Sequence, residues 1–262
     1  MNILDELADY ARYRVSEAEK KIPEEEMRNA AEALGGGTGF PFEKTLAAPG
    51  ISFITEVKKA SPSKGLIAPD FPYLQIAEAY QKAGASAISC LTEPKWFQGS
   101  DQYLKETAAH VTIPVLRKDF TVSPYMIWQA RTLGASAVLL ICAILDEQEL
   151  TEYRNIAESV GLSALVEAHD EKEVEMALRS GAKIIGVNNR NLKDFTVDIR
   201  NSERLRKMVP DDIIFVSESG IRTADDVARL YRNGTNAVLI GETLMRSSDK
   251  KGMLDELRSQ IV

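Results

Sequence analysis

Cysteine and histidine are scarce in this chain, two of each among 262 residues. Cys90 and Cys142 lie inside apolar, strand-like runs, "AISCLTE" and "VLLICAI". A thiol in such a run serves as a small buried hydrophobe, so no disulfide framework is indicated. His110 and His169 are far apart and match no metal-ligand spacing, so no metal site is expected. A basic surplus is missing too. Acidic residues number 39 against 32 basic, a formal net charge of −7, which argues against a nucleic-acid binder. No apolar run approaches the roughly 18 residues of a membrane span. The opening "MNILDELADYARYRV" carries acids and lacks the apolar core of an export signal, so a cytoplasmic location is expected. What remains is an ordinary globular balance, 44% hydrophobic and 27% charged.

From residue 51 onward a single unit repeats: a short strand rich in Val, Ile and Leu, a polar loop, an amphipathic helix, and often a Gly before the next strand. The strands read as "ISFITEV", "AISCLT", "PVLRKD", "AVLLICA", "ALVEA", "IIGVNN", "IIFVSES" and "AVLIGE". Near-continuous apolar strands alternating with helices imply a parallel sheet covered by helices. The repeat matches a closed (β/α)8 TIM barrel, whose usual size is roughly 250 residues. The alternative, an open doubly wound sheet, normally shows a Gly-rich fingerprint after its first strand, and "KKASPSKG" is not one. Ahead of the first strand lie an N-terminal helix and the helical "KIPEEEMRNAAEAL", and "GGGTGF", residues 35–40, reads as a flexible link. This segment is too short for its own core. The expected division is residues 1–46 as a helical extension packing on the barrel mouth and 47–262 as the catalytic barrel.

The first strand poses a problem. In "FITEVKKASPSKG", Glu56 and Lys58 share a face with the apolar Ile54, because side chains alternate along a strand. The same pattern recurs as Leu116–Lys118, Leu165–Glu167 and Val216–Glu218. Asn188 and Arg190 follow strand 6, and Gly241 and Glu242 follow strand 8. In barrels of this kind, the carboxyl ends of the strands form one mouth where active sites sit. Any one of these charges can serve merely in a rim salt bridge. Three carboxylates and two lysines aimed into one mouth are costly to desolvate, and they shift one another's pKa values in the way proton transfer requires. "SESGI" and "IGETLM" place Gly220 and Gly241 where backbone N–H groups can face a ligand, in the loops that usually bind phosphate in this fold. Lys58 is placed to complete such a site. Lys118 and Arg190 are then left for other anionic groups, and Glu167 and Glu218 as bases.

These stretches resemble the indole-3-glycerol phosphate synthase family of tryptophan biosynthesis. "EVKKASPSKG", "LTEPKWFQGS", "LRKDF", "LVEAHD", "GVNNRNL", "VSESGI" and "IGETLMR" occur in that family's order and spacing, over about residues 50–246. The resemblance implies ring closure of 1-(2-carboxyphenylamino)-1-deoxyribulose 5-phosphate to indole-3-glycerol phosphate with loss of carbon dioxide and water, without a cofactor. It implies Lys118 as general acid at the carbonyl and Glu167 as base of the dehydration. Lys58 becomes a cation for the substrate carboxylate or phosphate and a second acid. Glu56 and Glu218 hold the lysines and the amine, and Asn188 and Arg190 orient the sugar hydroxyls and Glu167. Ser61, Ser219, Gly220 and Gly241 take ligand-binding roles. Glu242 stands where some members carry a small polar residue, so its backbone N–H is the part carried over. Trp96 and Phe97 are either an apolar wall for the anthranilate ring or packing for the extension. The partner is a phosphorylated small molecule, not nucleic acid or membrane, and association with other tryptophan-pathway enzymes is expected.

Rival readings lack their residues. A phosphoribosylanthranilate isomerase pairs a Cys with an Asp, whereas strand 1 here offers Glu and Lys, and Cys142 is read within strand 4. Cyclases of histidine biosynthesis use paired aspartates, absent from these strand ends. A non-catalytic sugar-phosphate barrel would keep the glycines but lose Lys118 or Glu167.

Overall fold

Strands separated by helices close on themselves here. In the computed structural model, which describes residues 3–191 and 195–261, eight parallel strands form a closed barrel. They are β1 Ser52–Val57, β2 Ala87–Leu91, β3 Val115–Lys118, β4 Ala137–Ile141, β5 Ser163–Ala168, β6 Ile184–Asn188, β7 Ile214–Glu218 and β8 Ala237–Ile240. β1 pairs on one side with β2 and on the other with β8, from Ser52–Ala237 to Thr55–Ile240. The observed fold is the TIM barrel, and the open doubly wound sheet is not found. β4 ends at Ile141, and Cys142 opens a 3₁₀ turn, Cys142–Ile144, rather than lying in the strand.

Period-two alternation divides the core into two shells. Inside the barrel lie Ile54, Leu116, Leu139, Leu165, Val216 and Leu239. Their neighbours Phe53, Val115, Leu140, Val166, Phe215 and Val238 face outward and pack beneath the helices. Helix starts carry their own caps. Asp146 and Thr223 form capping boxes at Glu147–Ser159 and Ala224–Arg232, and Asp170 caps Glu171–Arg179. After Arg179 the chain turns back into β6 through Gly181, whose φ of +81° suits glycine.

The N-terminal extension divides its three helices among three places. Helix α1, Ile3–Glu19, sends Leu7, Ala8 and Ala11 into the inner shell, and Ile3, Leu4 and Leu7 onto the cavity at the mouth. Helix α2, Glu24–Ala33, packs on the barrel's flank against Pro124–Thr132. Helix α3, Pro41–Leu46, buries Phe42 and Leu46 in the inner shell at the opposite end. There Glu43 N bonds Ser163 Oγ and Ser52 Oγ bonds Thr45 O, both at strand starts. The expectation that all of residues 1–46 packs on the mouth is therefore corrected. The stretch 35–40 is also docked rather than free: Thr38 Oγ1 donates to Gly161 O at 2.7 Å, and a Cβ on Gly36 would strike the Ser159 carbonyl. Its missing side chains allow this close approach to a helix end.

Candidate active site

The inner face of each strand changes from apolar to polar near its carboxyl end. Glu56 sits one step above Ile54, and Lys118, Glu167 and Glu218 stand in the same relation to Leu116, Leu165 and Val216. All four line one cavity, which also takes in Lys58, Ser61, Phe97, Asn188, Arg190, Ser219, Gly220, Gly241 and Glu242. The residues singled out from the sequence for catalysis or substrate binding are thus brought to the same place, apart from Trp96.

Lys118 is the hub. Its Nζ donates to Glu167 Oε2 and to Glu218 Oε2, 2.7 Å each. Burial disfavours its charge, but Glu167, Glu218 and Glu56 outweigh burial and hold Lys118 above its usual range. The two carboxylates then part company. Burial works to raise Glu167, but Lys118 and His169 overcome it and hold that carboxyl below the usual carboxylate range. Asn188 Nδ2 adds a hydrogen bond to Glu167 Oε1 at 3.2 Å. Glu218 goes the other way: burial and the charge of Glu167 outweigh Lys118 and push it up to about 7. Its Oε1 has no hydrogen-bond partner among the described residues. One ammonium between an ionised and a protonatable carboxyl is the separation acid–base chemistry uses.

Two glycines make space for these charges. A Cβ at Gly186 on β6 would collide with Glu218 Oε1. A Cβ at Gly241 would collide with Glu56 Oε1 and come within 2.9 Å of Lys58 Nζ. Lys58 is ion-paired to Glu56. Gly241 was picked out for its backbone N–H, and its lack of a side chain is an equally direct requirement. Above the floor, Ser219 and Gly220 adopt successive left-handed conformations, φ +69° and +83°. Thr243 Oγ1 ties this turn to Glu242–Arg246 through Ile221 O at 3.0 Å. Lys64, from the loop after β1, reaches Glu242 at 3.7 Å.

Several contributors escape sequence reasoning. Asp119 is buried beside Lys118 and accepts Arg14 of α1 in a two-pronged contact, 2.6 and 3.1 Å. Glu93 is fully buried and accepts the backbone N–H groups of Lys95, Trp96 and Phe97 at 2.8–2.9 Å. It shapes the loop that delivers Phe97 to the cavity. Trp96 instead packs edge-on against Tyr10 of α1, with centroids 5.6 Å apart. Of the two aromatics, Phe97 lines the cavity and Trp96 packs on the extension. An acid next to a turn, as in "LTEP", is the signal for Glu93; nothing local marks the Arg14 contact. Cys142 does not line the cavity. Among the described residues, no group of three or more His, Cys, Asp or Glu side chains is placed to hold a metal.

The buried acid–base hub under a cationic rim defines a class: a TIM-barrel enzyme that moves protons on a small anionic substrate. Comparison with known proteins narrows it. The family model described as indole-3-glycerol phosphate synthase matches residues 4–257. Proteins of that name from Ruminiclostridium cellulolyticum and Lacticaseibacillus casei are 56% and 52% identical to this chain. The first alignment covers 98% of both chains, the second 96% of this chain and 97% of the relative. One from Thermoanaerobacter pseudethanolicus is 47% identical over 94% of each. A solved thiamine phosphate pyrophosphorylase from Pyrococcus furiosus shares the fold at TM-score 0.62 and 15% identity, over 84% of this chain and 97% of that one. The chain belongs to the indole-3-glycerol phosphate synthase family, and is an enzyme of the carboxy-lyase type, in tryptophan biosynthesis. Among the described residues, no helix is long and apolar enough to cross a membrane.

Proposed function

We propose that this cavity closes the pyrrole ring of 1-(2-carboxyphenylamino)-1-deoxyribulose 5-phosphate, with Lys118 as general acid and Glu167 as general base. The single observation that carries the reading is the Lys118 ammonium held between Glu167 and Glu218 at the cavity floor. The substrate carbonyl takes a proton from Lys118 as the arene carbon attacks it. Carbon dioxide then leaves, taking with it the carboxylate of the anthranilate ring. In the last step the new hydroxyl departs as water with a proton from an acid, and a ring proton passes to Glu167. Losing the Lys118 proton weakens the cation beside Glu167, which raises that carboxylate's basicity when a base is needed. Asn188 steadies Glu167, and Arg190 orients the sugar hydroxyls. Glu56 sets Lys58 against the substrate carboxylate or phosphate. Ser61, Ser219, Gly220, Gly241 and the backbone N–H of Glu242 receive the phosphate end, and Phe97 walls the aromatic ring.

Purified protein given this substrate should develop indole fluorescence. Lys118→Ala should remain folded and lose about 10²–10⁴ in kcat, the usual worth of a positioned acid. Near-wild-type turnover in that variant would remove Lys118 from the acid role. We also place the protein in the cytoplasm, associated with other tryptophan-pathway enzymes, which cell fractionation and co-purification from native extract would test.

A further inference from the structure

Glu167 has a histidine beside it that the reaction scheme leaves unused. His169 lies two residues on, past the end of β5. Its Nε2 is 3.4 Å from Glu167 Oε1, within ion-pair reach. Nε2 is nevertheless buried without an aligned hydrogen-bond partner among the described residues. The other side of the ring is fixed. Nδ1 lies 2.9 Å from Glu173 Oε2, and the same oxygen accepts the His169 backbone N–H at 2.8 Å. Glu173 is itself anchored in the first turn of the helix Glu171–Arg179, where its N–H bonds the Asp170 cap. Asn201 Nδ2 holds the His169 carbonyl at 3.0 Å. His169 does not line the substrate cavity. It lines an adjoining polar cleft that shares Leu4, Asn188 and Arg190 with that cavity.

We propose that His169, clamped by Glu173, is a positioning residue for Glu167, keeping that carboxylate charged and aimed when Lys118 turns from it to the substrate. The inference rests on the proposed role of Glu167 as base. Two carboxylates flank the ring, and each favours its charged form. Burial opposes that charge, but Glu167 and Glu173 overcome burial and push His169 up to about 10. Asp170 at the helix cap adds to the negative side. Arg200 and Arg204 across the cleft are ion-paired to Asp198 and Glu171, and Arg190 lines the same cleft. On the 3₁₀ turn, burial holds the Cys142 thiol above its usual range, so it is neutral there. Glu167 has Lys118, Asn188 and His169 around it. Once Lys118 serves the substrate, Asn188 and His169 remain, and the open Nε2 position is where Glu167 Oε1 can close a full hydrogen bond.

The chain carries two histidines, so nitrogen-15 imidazole NMR, with His110→Asn for assignment, reports on His169 directly. His169 should keep both ring protons through about pH 8. In Glu173→Gln, which keeps the shape and removes the charge, it should titrate at roughly pH 6–8, nearer an ordinary histidine. The alkaline limb of kcat in that variant should move down by about one unit or more, the usual effect of losing a close counter-charge. His169→Gln should lower kcat about tenfold or more with KM within about twofold, because the ring touches Glu167 and not the substrate. A neutral His169 at pH 7 in the wild type would overturn the proposal. So would wild-type kcat and pH profiles in both variants. If the wild-type protein failed to turn over the substrate, the reading of the whole site would fall, and the NMR titration would still decide the state of His169.

Discussion

Glu167 and Glu218 bond the same nitrogen, yet they are held on opposite sides of their ordinary range. Glu167→Gln should therefore stop dehydration while sparing some condensation, since the amide keeps shape and loses basicity. Single-turnover analysis should show slow indole formation with substrate still bound, and unchanged turnover would exclude Glu167. Glu218 makes a different prediction. Its folded pKa is raised from 4.5 to about 7, so the folded state binds the extra proton across that window. Its stabilising contribution is full below about pH 4.5 and is lost as pH rises through about 7. Glu218→Gln should flatten that part of the Tm–pH curve, and a curve unchanged between pH 5 and 8 would contradict the assignment. At this scale much was legible beforehand. The parity of Ile54–Glu56 or Leu165–Glu167 is a local property, written in a period of two. His169 was not legible, because its meaning depends on Glu173 one helical turn away and on a carboxylate whose role had first to be established.

The helices of the extension do separate jobs. α1 walls the cavity and is moored by Arg14 to the buried Asp119, while α3 fills the far end with Phe42 and Leu46. Deleting about residues 1–20 should raise KM more than it lowers stability. Phe42→Ala should instead cost about 3–5 kcal/mol, as large core truncations do, with KM nearly unchanged. Urea unfolding and steady-state kinetics on both variants would check this, and a deletion that left KM unaltered would make α1 a mere cover. Here the sequence was less informative. Amphipathic runs announced helices, but "PFEKTL" is short and set between glycines, and the Arg14–Asp119 contact joins residues 105 positions apart. No local pattern encodes such a pairing; closure of the barrel creates it.

For the molecule as a whole, the formal charge of −7 works against an anionic substrate, so attraction has to come from a local field. Lys58, Lys64, Arg190 and Arg222 all line the mouth. Inorganic phosphate should accordingly stabilise the enzyme without substrate. A ligand at 100 times its Kd adds about 2.7 kcal/mol, enough to raise Tm by several degrees in a chain of this size. Lys58→Ala should reduce the rise. An equal rise in that variant, or in chloride of matched ionic strength, would exclude Lys58 from the phosphate site and leave it to the substrate carboxylate or to acid work. The barrel itself was readable in advance because each strand–helix unit repeats the same pattern. The placement of the extension was not, since it depends on surfaces that exist only once all the strands have met.

That β1 pairs with β8 has a consequence for how the protein is made. The contact joins Ser52 to Ala237, so the ring stays open until the chain has been synthesised beyond residue 237. α1 and α3, which precede every strand of the barrel in the chain, have no completed interior to enter before then. They must wait through most of translation as exposed amphipathic helices, within reach of chaperones and proteases. A ribosome stalled before residue 237 would therefore carry α1 and α3 open to cleavage that the released enzyme protects, so helices made ahead of the barrel are among the last parts to find their place.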